Sequence, residues 1–262
     1  MTDTQPIVAD RAADGLLRTL RYCLKYLPGA YARTGAGGVH LVNFTVPISS
    51  LNRVLVLGHQ PDLAAIAAFA DEAAGFDLPW SIQTRTEPSQ EILDIAALHG
   101  LTARSTTPLL ARDLADIEDV LVDVPSGATV RKIDGAHNEI FADALAAGFE
   151  MSNSIADMFA VPAMLDDPAI SAFVLEVDGT AVTTGENIVA GDIVGLYNGA
   201  ARPQHRRNGY FRALVSARLR HAVADGARFA VTQNTPMSRP LYESLGFRVV
   251  ETWTSLTRSD NA

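Results

Sequence analysis

The apolar positions of this chain switch between a period near 3.6 and a period of 2, and the switches outline an α/β protein. Arg11 to Leu27 places Leu16, Leu17, Leu20, Leu24 and Leu27 at helical spacing and stops at Pro28-Gly29, which predicts a helix. Val39 to Pro47 and Arg53 to Leu57 are β-branched and aromatic enough for strands. Gly58-His59-Gln60-Pro61-Asp62 opens an Ala-rich helix to about Ala74, followed by strand Trp80 to Thr86, helix Ser89 to Leu98 and strand Thr102 to Leu110. Pro, Ser and Gly then cluster in Asp123-Val124-Pro125-Ser126-Gly127-Ala128, which predicts a boundary between two domains, residues 1–125 and 126–262.

The second half continues with strand Thr129 to Ile133 and helices from about His137 to Ala147 and Ser154 to Met164. Ala172 to Val177 and Thr180 to Val189 are strands joined at Asp178-Gly179, a hairpin signature. Strand Ile193 to Ala200, helix Gly209 to Ala224, strand Phe229 to Gln233, helix Met237 to Leu245 and strand Arg248 to Thr257 complete the chain. The order of elements from Leu55 to Leu101 mirrors that from Ile193 to Phe247, with little residue identity. An internal repeat and a chance likeness of two α/β stretches both account for this. A repeat would make the N-terminal copy a structural partner without its own phosphate site, since it lacks the arginines and the helix-start glycine.

Composition narrows the class. With 48% hydrophobic and 19% charged residues in 262, a sizeable core is expected and disorder is not. A net charge of −9 argues against a general nucleic-acid or anionic-membrane binder but leaves room for a local basic pocket. It is also compatible with a cationic, polyamine-like acceptor. The single Cys23 excludes an intrachain disulfide, fits a reducing compartment and sits in a helical pattern, as a buried structural thiol would. Met1 to Gly15 is polar, and no run reaches the roughly 18 apolar residues that span a bilayer. A soluble cytoplasmic protein is therefore expected, with no membrane partner. No His, Cys, Asp and Glu cluster has metal-ligand spacing, so no metal is expected.

The candidate chemistry lies between Asp192 and Phe247. Strand Ile193 to Leu196 leads through Asn198-Gly199 and Pro203 into Gln204-His205-Arg206-Arg207-Asn208-Gly209, which opens the long helix. A basic, Gly-containing loop at a helix start favours an anion, because unpaired backbone N–H groups and the positive dipole end face the ligand. Asn208 is the expected N-cap, and Gly209 lets the backbone approach a phosphate. Phe211, Leu214, Val215, Leu219, Ala222 and Val223 form the packing face, while Arg218, Arg220 and His221 sit near the C-terminus, where positive charge is favoured. A solvated, Arg-rich helix start with no ligand is the plainer alternative. Further on, Tyr242 is a candidate proton donor or a core tyrosine on a short helix.

These residues resemble a known family. Pro203 to Phe211 is similar to the coenzyme A loop of the GNAT superfamily of N-acetyltransferases, whose pattern is Gln/Arg-x-x-Gly-x-Gly/Ala, and Leu241-Tyr242-Glu243-Ser244-Leu245-Gly246-Phe247 resembles its Leu-Tyr-x-x-x-Gly-Phe signature. The resemblance covers roughly the C-terminal half. It implies a mixed, mostly antiparallel sheet flanked by helices, beside a second GNAT-like or substrate-covering α/β domain at the N-terminus. It further implies that Arg206, Arg207, Asn208, Gly209 and Tyr210 wrap the pyrophosphate of acetyl-CoA. The backbone of Gly199, Ala200 and Ala201 would pair with its pantetheine arm, with Asn198-Gly199 suited to a bulge. Tyr242 would protonate the departing thiolate. Phe211 stands where the family has Gly or Ala, and Thr235 where many members have asparagine, with Asn234 adjacent. Phe211 would either crowd the cofactor or turn into the core.

The implied reaction is direct acetyl transfer to an amine of a small molecule or peptide in a ternary complex. A GNAT-fold binding or sensor protein without catalysis is the alternative. The general base is not legible: Glu186 is one candidate but reads more simply as an exposed strand carboxylate, and His137 and His205 are weaker candidates that read as surface histidines.

Overall fold

The helix announced by the N-terminal leucines starts earlier than their spacing suggests. In the computed structural model, which describes residues 4–259, α1 spans Thr4–Cys23, and a 3-10 turn at Leu24–Tyr26 replaces its expected last turn. Residues 1–3 of the polar leading segment lie outside the described residues. The N-terminal half then runs β1 (Tyr31–Thr34), β2 (Val39–Asn43), β3 (Arg53–Val56), α2 (Leu63–Ala74), β4 (Ser81–Thr84), α3 (Gln90–Leu98) and β5 (Ala103–Asp113). The C-terminal half runs β6 (Ala128–Ile133), α4 (Asn138–Phe149), α5 (Asn153–Ala156), α6 (Pro162–Leu165), β7 (Ile170–Val177), β8 (Thr180–Ala190), β9 (Ile193–Ala201), α7 (Tyr210–Ala224), β10 (Phe229–Gln233), α8 (Arg239–Ser244) and β11 (Arg248–Thr257). The single helix expected from Ser154 to Met164 is instead two four-residue helices joined by a 3-10 turn. Pro162 cannot donate to a preceding turn, and it begins α6 instead of continuing α5.

The strands form one sheet in the order β1-β2-β3-β4-β11-β5-β10-β9-β8-β7-β6. Most neighbours are antiparallel, and the β7–β8 hairpin turns at Asp178-Gly179, both with positive φ. Two pairs are parallel, β3 with β4 and β9 with β10, each bridged by a helix. β5 from the first half lies between β10 and β11 of the second, and β11 lies between β5 and β4. The element order repeated in the sequence is thus repeated in the sheet, with each half closing on the other's last strand.

One face of the sheet packs on α1 and α4 around Leu16, Leu20, Phe141 and Trp253. On the opposite face, α2 and α3 cover the first half and α7 and α8 the second. Alternation along the strands divides the two layers: Leu55 and Ile193 face α1, whereas Val54, Val56 and Val194 face the other helices. Cys23 is buried, as expected of a structural thiol, and burial pushes its thiol pKa well up. No helix among the described residues is long and apolar enough to cross a membrane.

Candidate active site

The site begins where β9 and β10 part. Their ladder runs only to Gly195 opposite Val231, and the Thr232 hydroxyl donates to the Leu196 carbonyl at 3.0 Å just beyond it. From there β9 continues to Ala201 paired with β8 alone, so the edge carrying Gly199, Ala200 and Ala201 is open toward the divergence. The β8–β9 register slips between Thr184 and Glu186, and Asn198 has a φ of 51°. The chain therefore bulges at Asn198-Gly199, as its sequence suggests. A bulge sets two neighbouring side chains on one side of a sheet. Here Tyr197 and Asn198 both line the α1 side, while Gly199 faces Phe211 and Tyr242 on the α7 side.

The loop into α7 differs from expectation at its cap. Asn208 does not cap the helix: Gly209 occupies the N-cap position in the left-handed conformation, φ 79°, which a Cβ would disfavour. Arg207 precedes it with a φ of 64°. The N–H of Ala213 is bonded back to the Gly209 carbonyl, and the N–H groups before it face outward at the helix start. The two loop arginines are not equivalent. Arg206 is anchored, its Nε donating to the Ala201 carbonyl at 3.1 Å and its Nη2 to Gly148 at 3.0 Å, whereas Arg207 and Asn208 are exposed.

Phe211 is half-buried and its ring covers Gly199. A methyl group at Gly199 would come within 2.9 Å of Phe211 Cζ and 3.6 Å of the Tyr242 hydroxyl. Phe211 meets Tyr242 edge-on at 6.5 Å between centroids, and Tyr242 meets Phe247 the same way at 5.3 Å. The Phe211 ring is half-buried between Gly199 and Tyr242 and lies over the open edge of β9. Tyr242 is only 3% exposed. Burial raises its pKa, against Arg218 and Asn234, which lower it. Thr235 is exposed and bonds Ser238, whereas the adjacent Asn234 is the buried residue that reaches Tyr242.

On the other side of the bulge lies a residue the sequence pattern misplaced. Glu186 is not an exposed strand carboxylate; it is 2% exposed, because α1 covers β8 on one face and α7 on the other. Its Oε2 accepts from Asn198 Nδ2 at 2.8 Å, and its Oε1 is buried without a hydrogen-bond partner. Burial pushes its pKa up to about 7, although the Arg218 charge and the Asn198 bond pull the other way. His137 is half-exposed beside Asp134, as a surface histidine.

Arg218, read from the sequence as a favourable charge near the end of α7, is 0% exposed. It stands at the spacing of Leu214, Val215 and Ala222, so it belongs to the packing face. Its guanidinium bonds the carbonyls of Glu186 and Tyr197 and Asn187 Oδ1, the last at 3.0 Å. Gly185 makes room for it, since a methyl group there would overlap the guanidinium.

The N-terminal half holds a cavity of about 540 Å³ at the matching divergence of β3 and β4, lined in part by Leu57, His59, Leu63, Arg85, Ile92 and Glu251. Its charges suit an anion poorly. Arg85 is paired with Glu251 at 2.5 Å and Asp10 at 2.7 Å, and the Asp62 carboxylate caps α2 through Ala65 N–H. Although larger, this cavity lacks the free helix start and the buried tyrosine of the second half. Among the described residues, no group of three or more His, Cys, Asp or Glu could hold a metal ion.

Residues 139–247 match the acetyltransferase (GNAT) family model. The fold extends over both halves. The chain is similar to a GCN5-related N-acetyltransferase from Kribbella flavida, with 19% identity, 97% of this chain and 96% of that one covered, and a TM-score of 0.67. It is likewise similar to a GCN5-related N-acetyltransferase-like protein from Streptococcus suis (14% identity, 98% and 100% covered, TM-score 0.60). A tandem GNAT protein from the clavulanic acid biosynthesis pathway gives 15% identity, 97% of each chain covered and a TM-score of 0.59. No curated protein matches the chain in sequence.

Proposed function

We propose that the protein transfers an acetyl group from acetyl-CoA to an amine, in a ternary complex, at the bulge between Glu186 and Tyr242. The observation that carries this reading is the placement of two buried proton-carrying groups on opposite sides of one β-bulge. The two halves act as separate units in this reading, with residues 126–262 as the transferring domain and residues 1–125 completing its sheet and covering the acceptor side through α1.

The residues fit the cosubstrate. The N–H groups at the start of α7 and the exposed Arg207 suit a pyrophosphate, with Arg206 holding the loop against Ala201 and Gly148. The open edge of β9 at Gly199, Ala200 and Ala201 suits the amide groups of a pantetheine arm. Acetyl-CoA supplies the thioester whose acyl carbon is attacked. Phe211 is the one poor fit, because its ring must leave Gly199 for the arm to enter. Phe211→Ala is therefore expected to lower the KM for acetyl-CoA while keeping kcat, and a raised KM in steady-state kinetics would show that the ring belongs to the cofactor site.

In the transfer, Glu186 takes a proton from the substrate ammonium. The amine nitrogen bonds to the acyl carbon as the C–S bond breaks, Tyr242 gives its proton to the departing sulfur, and the proton that the new amide nitrogen sheds returns Tyr242 to its phenol form. A carboxyl with a pKa of about 7 is half ionised near neutrality and basic enough for the first step. A tyrosine whose pKa burial raises stays protonated for the last one. Tyr242→Phe keeps the ring packing and is expected to lower kcat roughly a hundredfold, measured by release of free thiol. Full turnover in that variant would remove the acid role.

A further inference from the structure

The surroundings of Glu186 identify a class of acceptor, an inference that rests on the function proposed above. The cavity beside its carboxyl has a volume of about 50 Å³. Leu20, Leu27, Phe44, Met158, Phe159 and Met164 supply half of its wall. No Lys, Arg or Asp lines it, and Glu186 is its one carboxylate. Glu186 lines this cavity, and its Oε1 is buried without a hydrogen-bond partner, a state that costs free energy unless a ligand N–H meets it.

We infer that the acceptor is a primary amine bearing a single charge on an apolar alkyl or aralkyl body. Its ammonium meets Glu186 Oε1, and its body lies among the leucine, phenylalanine and methionine side chains. A polyamine or amino sugar would bury further ammonium or hydroxyl groups against a wall whose other polar side chains, Tyr197 and Asn198, are already bonded to Thr19 and Glu186. The cavity holds the amino end, and the body leaves along Met158 and Phe159, which are only half-buried. Unbranched methionines adapt to bodies of differing shape. The wall they stand on is the broken segment of α5 and α6, four residues each. A polyamine-like acceptor, with which the net charge of −9 is compatible, does not suit this cavity.

The test uses the full chain and two readouts. Calorimetry measures binding of n-propylamine through n-hexylamine, 2-phenylethylamine, spermidine and glucosamine, and thiol release with acetyl-CoA measures turnover of the same panel. Hexylamine is expected to bind at least about tenfold more tightly than spermidine, with a gain of roughly threefold to fourfold per added methylene. Glu186→Gln should weaken hexylamine binding about tenfold. Met158→Glu, at the half-buried rim, should move the preference toward 1,5-diaminopentane, which keeps the inference testable if the Glu186 variant misfolds. Equal or better binding of spermidine or glucosamine, a flat dependence on chain length, or no binding by any amine overturns the inference. Apolar amines that bind as expected without thiol release support the acceptor site and overturn acetyl transfer. Polyamine acetylation does the reverse.

Discussion

Glu186→Gln is expected to lower kcat by roughly 10²- to 10⁴-fold and, at the same time, to make the protein more stable at pH 8. Both effects come from one carboxyl. Burial raises the Glu186 pKa from 4.5 to about 7. A group whose folded pKa lies above its unfolded value favours folding in its protonated form. That contribution is complete below about pH 4.5 and is lost as pH rises through about 7. At pH 8 the wild type therefore carries a buried charge costing roughly 3 kcal/mol relative to the neutral form. Glutamine is neutral at every pH, fills the same volume and keeps an oxygen for Asn198. Denaturant unfolding should accordingly give the variant its advantage at pH 8 and none near pH 4. Catalysis needs the ionised form, so wild-type kcat should rise with pH to a plateau above about 7. The charged and titratable groups around this carboxyl are Arg218, Tyr197 and Cys23. A variant with wild-type turnover, or one with the same stability difference at both pH values, would show that Glu186 is neither the base nor a destabilised charge.

Local signals carried much of the fold. Asp178-Gly179 marks its hairpin, Pro28-Gly29 closes the first helical region, and the strands from Ile170 to Ala201 fall where β-branched residues cluster. β1 left little trace because Tyr31, Ala32, Arg33 and Thr34 form only four residues at an edge, two of them exposed. The placement of β5 beside β10 and β11 is a long-range pairing, and no residue near Ala103–Asp113 specifies its partners. The site divides in the same way. The bulge at Asn198-Gly199 and the glycine at the start of α7 are backbone features with a residue signature. The burial of Glu186 is not, since Thr183, Thr184, Glu186 and Asn187 read as a polar solvent-facing run. Only the covering of β8 by helices on both faces buries them. Arg218 did leave a signal: an arginine at i+4 from Leu214 and i+7 from Phe211 stands inside an apolar stripe.

Arg218→Met should then destabilise the protein by roughly 3–5 kcal/mol, the range for breaking a buried charged network by removing one partner. The guanidinium spans the Glu186 and Tyr197 carbonyls and Asn187 Oδ1, and it supplies donors that the bulged strands do not give one another. Methionine matches much of the length and supplies no donor, leaving those oxygens buried and unpaired. Lysine, a point charge without the fork, cannot reach all three and should recover only part of the loss. Gly185→Ala should act in the same direction by overlapping the guanidinium. The electrostatic consequence separates this role from packing. Arg218 lowers the pKa values of both Glu186 and Tyr242 against their burial. Its removal should shift the activity rise above pH 7 and make Tyr242 a weaker acid. Because Arg218 and Glu186 share one network, Arg218→Met in a Glu186→Gln background should cost less than it does alone. Urea unfolding of the four-member cycle, with pH–rate profiles of the Arg218 single variants, measures both effects. Additive stabilities together with an unshifted pH limb would mean that the guanidinium only fills space between α7 and the bulge.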